Sequence, residues 1–145
     1  MYKVVVVGTD GSPTAEKAVE MAAALSRPLG AHLHIVTAYK SGVSGIAGAS
    51  GVALVDSGAG HAVAEEVAKG VGERAAETYG DGLEVTTHVL HDDPVDAILG
   101  TATRVGADLI VVGSKGMRGA RRYLGSVPNS VAHGAHCAVL VVKTD

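Results

Sequence analysis

Lys3-Val4-Val5-Val6-Val7-Gly8-Thr9-Asp10-Gly11-Ser12-Pro13 is the stretch on which the fold turns. Its valines are consecutive rather than alternating, which suits a strand covered on both faces, as in a parallel sheet. Ser12 before Pro13 is a helix start: the serine oxygen can cap the first turn, and proline loses only an N–H that would be orphaned there. A strand, a tight Gly-Thr-Asp-Gly turn and a helix therefore follow one another within a few residues. The helix is expected over Pro13–Leu29, with Ala15, Ala18, Ala22, Leu25 and Leu29 on one face.

The same alternation continues along the chain. Strands are expected at Lys3–Gly8, His32–Ala38, Leu83–Leu90, Asp108–Val112 and Ala138–Lys143. Between them, helices are expected over Ala62–Tyr79, from Asp93-Pro94 with Val95, Ile98, Ala102 and Val105 as its apolar stripe, and over Pro128–Gly134. In Ala62–Tyr79 the apolar positions are Val63, Val67, Val71, Ala75 and Tyr79. Residues Ser41–Gly60 hold six glycines and one charge, Asp56, and read as a long, glycine-rich mobile loop. The order βαβαβαβαβ predicts a mostly parallel sheet with helices on both faces, in one domain spanning residues 1–145.

Composition narrows the function. A net charge of −3 gives no basic footprint for nucleic acid. Four tyrosines, with no Phe or Trp, leave no stacking platform for single strands. Cys137 is the sole cysteine, so no internal disulfide can form, and no run approaches the roughly 18 apolar residues of a membrane span. With no signal peptide visible after Met1, the expectation is a cytoplasmic protein that engages neither nucleic acid nor membrane.

In open α/β sheets, ligands lie beyond the carboxyl ends of the strands, at the point where strand order reverses. Two loops sit at such ends. The first is Gly8–Ser12, with Thr9, Asp10 and Gly11. The second follows Val112: Gly113-Ser114-Lys115-Gly116-Met117-Arg118, leading to Gly125-Ser126-Val127-Pro128. Glycines let backbone N–H groups approach a phosphate closely, and a helix N-terminus adds free N–H groups and partial positive charge. Gly113, Gly116, Gly125 and Ser126 are the phosphate candidates, with the N–H groups of Ser126 and Val127 open to an anion. Lys115, Arg118, Arg121 and Arg122 place four cations in the same segment; each can touch phosphate or remain solvated surface charge. Asp10 either closes an Asx-turn or serves a ligand, accepting from ribose hydroxyls or holding Mg²⁺.

Other chemistry finds little support. The segment lacks the P-loop pattern, and the first loop lacks Gly-x-Gly-x-x-Gly. The seven histidines form no ligand-spacing motif, although His32 and His34 share one face of a strand. No Gly-x-Ser-x-Gly elbow is present, and no general base stands out, so hydrolysis is slow at most.

The chain resembles the universal stress protein family over nearly all of its 145 residues. The resemblance rests on Val5–Ser12, Asp93–Ile98 (Asp-Pro-Val-Asp-Ala-Ile), Ala107–Ser114, Leu124–Val131 and the closing Ala138–Lys143. It implies a three-layer αβα sandwich around a five-stranded parallel sheet of order 3-2-1-4-5, the Rossmann-like fold of the adenine nucleotide alpha hydrolases. It also implies a homodimer, here through Ala138–Lys143, and in one branch ATP held by a Gly-x2-Gly-x9-Gly-Ser/Thr pattern. On this chain Gly113, Gly116, Gly125 and Ser126 match that pattern, Asp10 matches the acidic residue near the ribose, and the backbone around Thr37 and Ala38 matches the adenine edge. Two departures stand out. Eight residues, Met117 to Leu124, separate Gly116 from Gly125 where the pattern has nine, and Asp92 occupies a position that is often glycine. The expected function is a stress-response module binding an adenine nucleotide, ATP first, with cyclic AMP or AMP as alternatives. The competing readings are a dimeric interaction protein without nucleotide and a slow Mg²⁺-dependent ATP hydrolase working at Asp10.

Overall fold

The computed structural model describes residues 1–40, 58–114 and 127–144. The elements run β1 (Val4–Gly8), α1 (Pro13–Leu29), β2 (His32–Tyr39), α2 (Gly58–Tyr79), β3 (Val85–His91), α3 (Pro94–Val105), β4 (Leu109–Gly113), α4 (Val127–Gly134) and β5 (Ala138–Val142). The sheet is five-stranded in the order β3-β2-β1-β4-β5, and the paired strands are parallel. β1 is central, with Val7 opposite Ile35 on one side and Val111 on the other.

The unbroken valine run is explained by this position. Val5 and Val7 pack with Ala18, Val19 and Ala22 of α1, while Val6 packs with Ala97, Ile98 and Ala102 of α3. All three valines are fully buried, so each face of β1 removes apolar side chains from water, about 1.5–3 kcal/mol per residue as an upper estimate. Helices α1 and α2 therefore cover one face and α3 and α4 the other.

Local signals set the helix ends. Ser12 Oγ accepts from Ala15 N–H at 3.2 Å, and Asp93 Oδ1 accepts from Val95 N–H at 3.0 Å, each followed by proline in the first turn. Gly30 and Gly106 close α1 and α3 in the left-handed conformation, at φ 60° and 65°.

Several expectations need correction. The loop expected over Ser41–Gly60 ends early, because α2 begins at Gly58; residues 41–57, and with them the mobility expected there, lie outside the described residues. The apolar face of α2 is Ala64, Ala68, Val71 and Ala75, while Val63 and Val67 are exposed. Steps of four residues drift off a helix face of period 3.6, which is why a stripe counted in fours left the interface at its N-terminal end. Leu29, expected on the buried stripe of α1, is likewise exposed. Asp108 is not in β4. Its Oδ2 accepts from the N–H groups of Lys3 (2.8 Å) and Val4 (3.0 Å), and those bonds hold the carboxyl below the usual carboxylate range. No helix among the described residues is long and apolar enough to cross a membrane.

Candidate functional site

β1 stops at Gly8 and turns away, whereas its neighbours continue to Tyr39 and Gly113. A cleft of about 170 Å³ opens at this point. Gly8 lets Ile98 of α3 pack closely on the end of β1: a Cβ there would lie 2.5 Å from Ile98 Cδ1, and the isoleucine would have to shift. The chain then folds back on its own polar groups. Thr9 N–H donates to Val36 O at 2.9 Å, Gly11 N–H to Thr9 Oγ1 at 3.1 Å, and Ser12 N–H to Asp10 Oδ1 at 2.9 Å. Asp10 thus forms the Asx-turn through one oxygen while lining the cleft. Gly11, at φ 80°, takes the left-handed conformation the turn needs.

The cleft has an apolar floor of Val36, Ala38, Ile98 and Val112, and a polar rim of Thr9, Asp10, Ser12 and Thr14. That combination suits a flat apolar ring carrying a polar or charged tail. The main chain of β2 adds direction. Val36 O accepts from Thr9 N–H on the β1 side, and Tyr39 O accepts from Asp92 N–H on the β3 side. Strand groups alternate, so Ala38, two residues beyond Val36, turns its N–H and C=O toward the gap that β1 leaves. An edge able to offer one donor and one acceptor is there for a heterocycle.

Thr37 falls on the other side. Its backbone pairs with Val89 of β3, and its hydroxyl lies toward α2, where a Cβ at Gly72 would come within 3.6 Å. Of the two residues expected at the adenine edge, Ala38 lines the cleft and Thr37 does not. Gly11 also stands behind the lining, against Val71. Val112, Gly113 and Val127 line it. Gly113 and Val127 flank the glycine-rich segment, so both of its ends meet at the cleft; Lys115, Gly116, Arg118, Arg121, Arg122, Gly125 and Ser126 lie outside the described residues.

Sequence reading overlooked part of the wall. Ser12 and Thr14 come from the capped start of α1, and Pro94 and Ile98 from the start of α3. The signals were present in the two Ser/Asp-Pro caps, since a helix that begins beside a strand end aims its first turn into the switch point. Asp92 is exposed and turns Oδ1 back to Asp93 N–H at 2.8 Å, while Asp93 pairs with Lys40 at 3.4 Å.

Three of the histidines, His32, His34 and His88, form a separate group on β2 and β3, outside the cleft lining. His34 Nδ1 and His88 Nε2 are 2.9 Å apart, His32 stacks on His34 at 4.1 Å, and His32 Nε2 lies 2.8 Å from Thr86 Oγ1. Burial, helped by the neighbouring His32 and His88, lowers the His34 pKa to about 4; burial, then Arg104 and His32, lowers that of His88. Among the described residues no trio of His, Cys, Asp or Glu is placed to hold a metal ion. Cys137 is partly buried, and burial pushes its thiol pKa up.

Comparison with known proteins places these features in a family. Residues 1–143 match the model of the universal stress protein family. Universal stress protein Rv1636 of Mycobacterium tuberculosis is 37% identical over 147 residues, covering 99% of this chain and 97% of its own length. A solved universal stress protein in complex with cAMP is 32% identical, covers 99% of this chain and 98% of its own, and superposes with a TM-score of 0.75. A universal stress protein of Archaeoglobus fulgidus in complex with dAMP, at 24% identity, 98% coverage of both chains and a TM-score of 0.60, shares the fold.

Proposed function

Because the chain belongs to the universal stress protein family, we propose that it binds an adenine nucleotide in the cleft where β1 leaves the sheet and acts as a stress-response regulatory module. ATP is the first choice, with cyclic AMP and AMP as alternatives. The observation that carries the reading is the cleft itself: an apolar floor, the main-chain groups of Ala38 on one side, and Gly113 and Val127 on the other. The cAMP complex of a 32% identical relative supports it.

In this reading the adenine ring lies on Val36, Ile98 and Val112, and Ala38 N–H and C=O meet its polar edge. Asp10 accepts from ribose hydroxyls. The amides of Gly113, Gly116, Gly125, Ser126 and Val127 take the phosphates, with Lys115 and Arg118 adding charge. Thr9 and Gly11 hold the first turn in shape. Mg²⁺, if it accompanies the nucleotide, is held by phosphate oxygens and Asp10. Among the described residues the lining holds no histidine or lysine for general-base work, and in this reading hydrolysis is slow at most.

Nucleotide-stripped protein titrated calorimetrically with ATP, ADP, AMP and cyclic AMP should bind at least one below millimolar concentration. Absence of heat for all four at millimolar ligand would remove the proposal. It would favour the second reading, a dimeric interaction protein without nucleotide, to which the eight-residue spacing between Gly116 and Gly125 points.

A further inference from the structure

Thr144 lines no part of the cleft, yet it is 2% exposed and tied to both the end of β4 and α1. Its N–H donates to Ser114 Oγ at 3.1 Å, and its hydroxyl lies 3.4 Å from the same oxygen. Its carbonyl accepts from Lys17 Nζ of α1 at 3.3 Å. Ser114 N–H in turn donates to Val142 O of β5 at 2.8 Å. The methyl of Thr144 presses on the end of β4: a Cβ at Gly113 would come within 3.1 Å of Thr144 Cγ2 and 3.7 Å of Thr14 O. Gly113 is thereby held between the start of α1 and Thr144, with its neighbour Ser114 locked to β5.

We infer that Thr144 is a positioning residue for the nucleotide, an inference that rests on the reading of the cleft given above. It touches no ligand. It fixes where β4 ends, and so where the Gly113 backbone stands relative to Thr14 and Val127 across the cleft. A backbone cradle works only when its amides are held to within a fraction of an ångström, and that precision comes from residues one layer out. A polar residue this far along the chain, beyond the last strand, needs no such burial to complete the sheet. Its hydrogen bonds are directed at Ser114 and at Lys17 of α1, and its methyl lies toward Gly113.

The test is calorimetric titration with ATP and with cyclic AMP. Thr144→Val keeps the methyl against Gly113 and is expected to bind within about twofold of wild type. Thr144→Ala removes it and is expected to weaken binding by about fourfold, the affinity equivalent of one methyl group's packing. Gly113→Ala, which presses a new Cβ on that methyl, should weaken binding too, and Thr144→Ser, which deletes the methyl, should recover most of the loss in the double variant. Such recovery through a residue outside the cleft would not arise from general destabilisation. Wild-type affinity in Thr144→Ala overturns the inference. If that variant does not fold, failure of Thr144→Ser to rescue Gly113→Ala overturns it instead. A wild-type protein that binds neither nucleotide ends the nucleotide reading itself, and the inference with it.

Discussion

Single residues at the end of β2 separate what is legible in a sequence from what is not. Thr37 and Ala38 look equivalent in the chain, both small and both at a strand's carboxyl end. Strand alternation gives them opposite roles: Ala38 faces the cleft, while the Thr37 side chain is 3% exposed beneath α2 and its hydroxyl has no hydrogen-bond partner among the described residues. Which parity faces the gap depends on the hydrogen bond from Thr9 to Val36, a contact between residues far apart in sequence. Gly8 and Asp10, by contrast, were readable locally, as a strand-ending glycine and an Asx-turn acid. An orphaned buried hydroxyl is unfavourable, and a methyl of the same shape removes the unmet demand. Thr37→Val is therefore expected to raise stability by about 1 kcal/mol, measured by urea unfolding, with nucleotide affinity unchanged. Lower stability would mean the hydroxyl has a partner; lower affinity would place Thr37 at the ligand.

At the scale of elements, strand and helix identity was readable because the local signals agree. Consecutive valines mark β1, and Ser12-Pro13 and Asp93-Pro94 mark the starts of α1 and α3. The pairing of β2 with β3 was legible only through the order 3-2-1-4-5 that the family resemblance implies; no local signal marks the contact of His34 with His88, 54 residues apart in sequence. That pair predicts a pH dependence. The folded pKa of His34 is about 4 against an ordinary 6.5, so folding favours the neutral ring. The contribution is fully present above pH 6.5 and is lost progressively as pH falls from about 6.5 toward 4. His88, lowered in the same direction by burial first, adds to the trend. His34→Gln keeps a hydrogen-bonding side chain but cannot protonate, so its unfolding free energy should fall less steeply between pH 6.5 and 4 than that of wild type. Parallel pH profiles for the two proteins would show that the pair does not carry the acid sensitivity.

For the whole molecule, sheet order decides both where a ligand can bind and which edges are open. The strand order 3-2-1-4-5 puts the reversal at β1 and places β5 at an edge. Val141 of β5 is 39% exposed, and an apolar edge strand tends to be paired or covered. The homodimer through Ala138–Lys143 is our proposal on that ground. Sedimentation at micromolar concentration should give a dimer, and Val141→Lys should shift it toward monomer; a monomeric wild type would refute the pairing. The central claim is that the gap beside β1 holds an adenine nucleotide against the main chain of Ala38 and Gly113. The most direct measurement is a nucleotide titration of ¹⁵N-labelled protein followed at those two amide resonances. Binding as proposed predicts that both shift and saturate together below millimolar ATP or cyclic AMP, while the amide of Val85, at the far end of β3, stays in place. Amides of Ala38 and Gly113 that do not move, or saturable shifts confined to other residues, would contradict it.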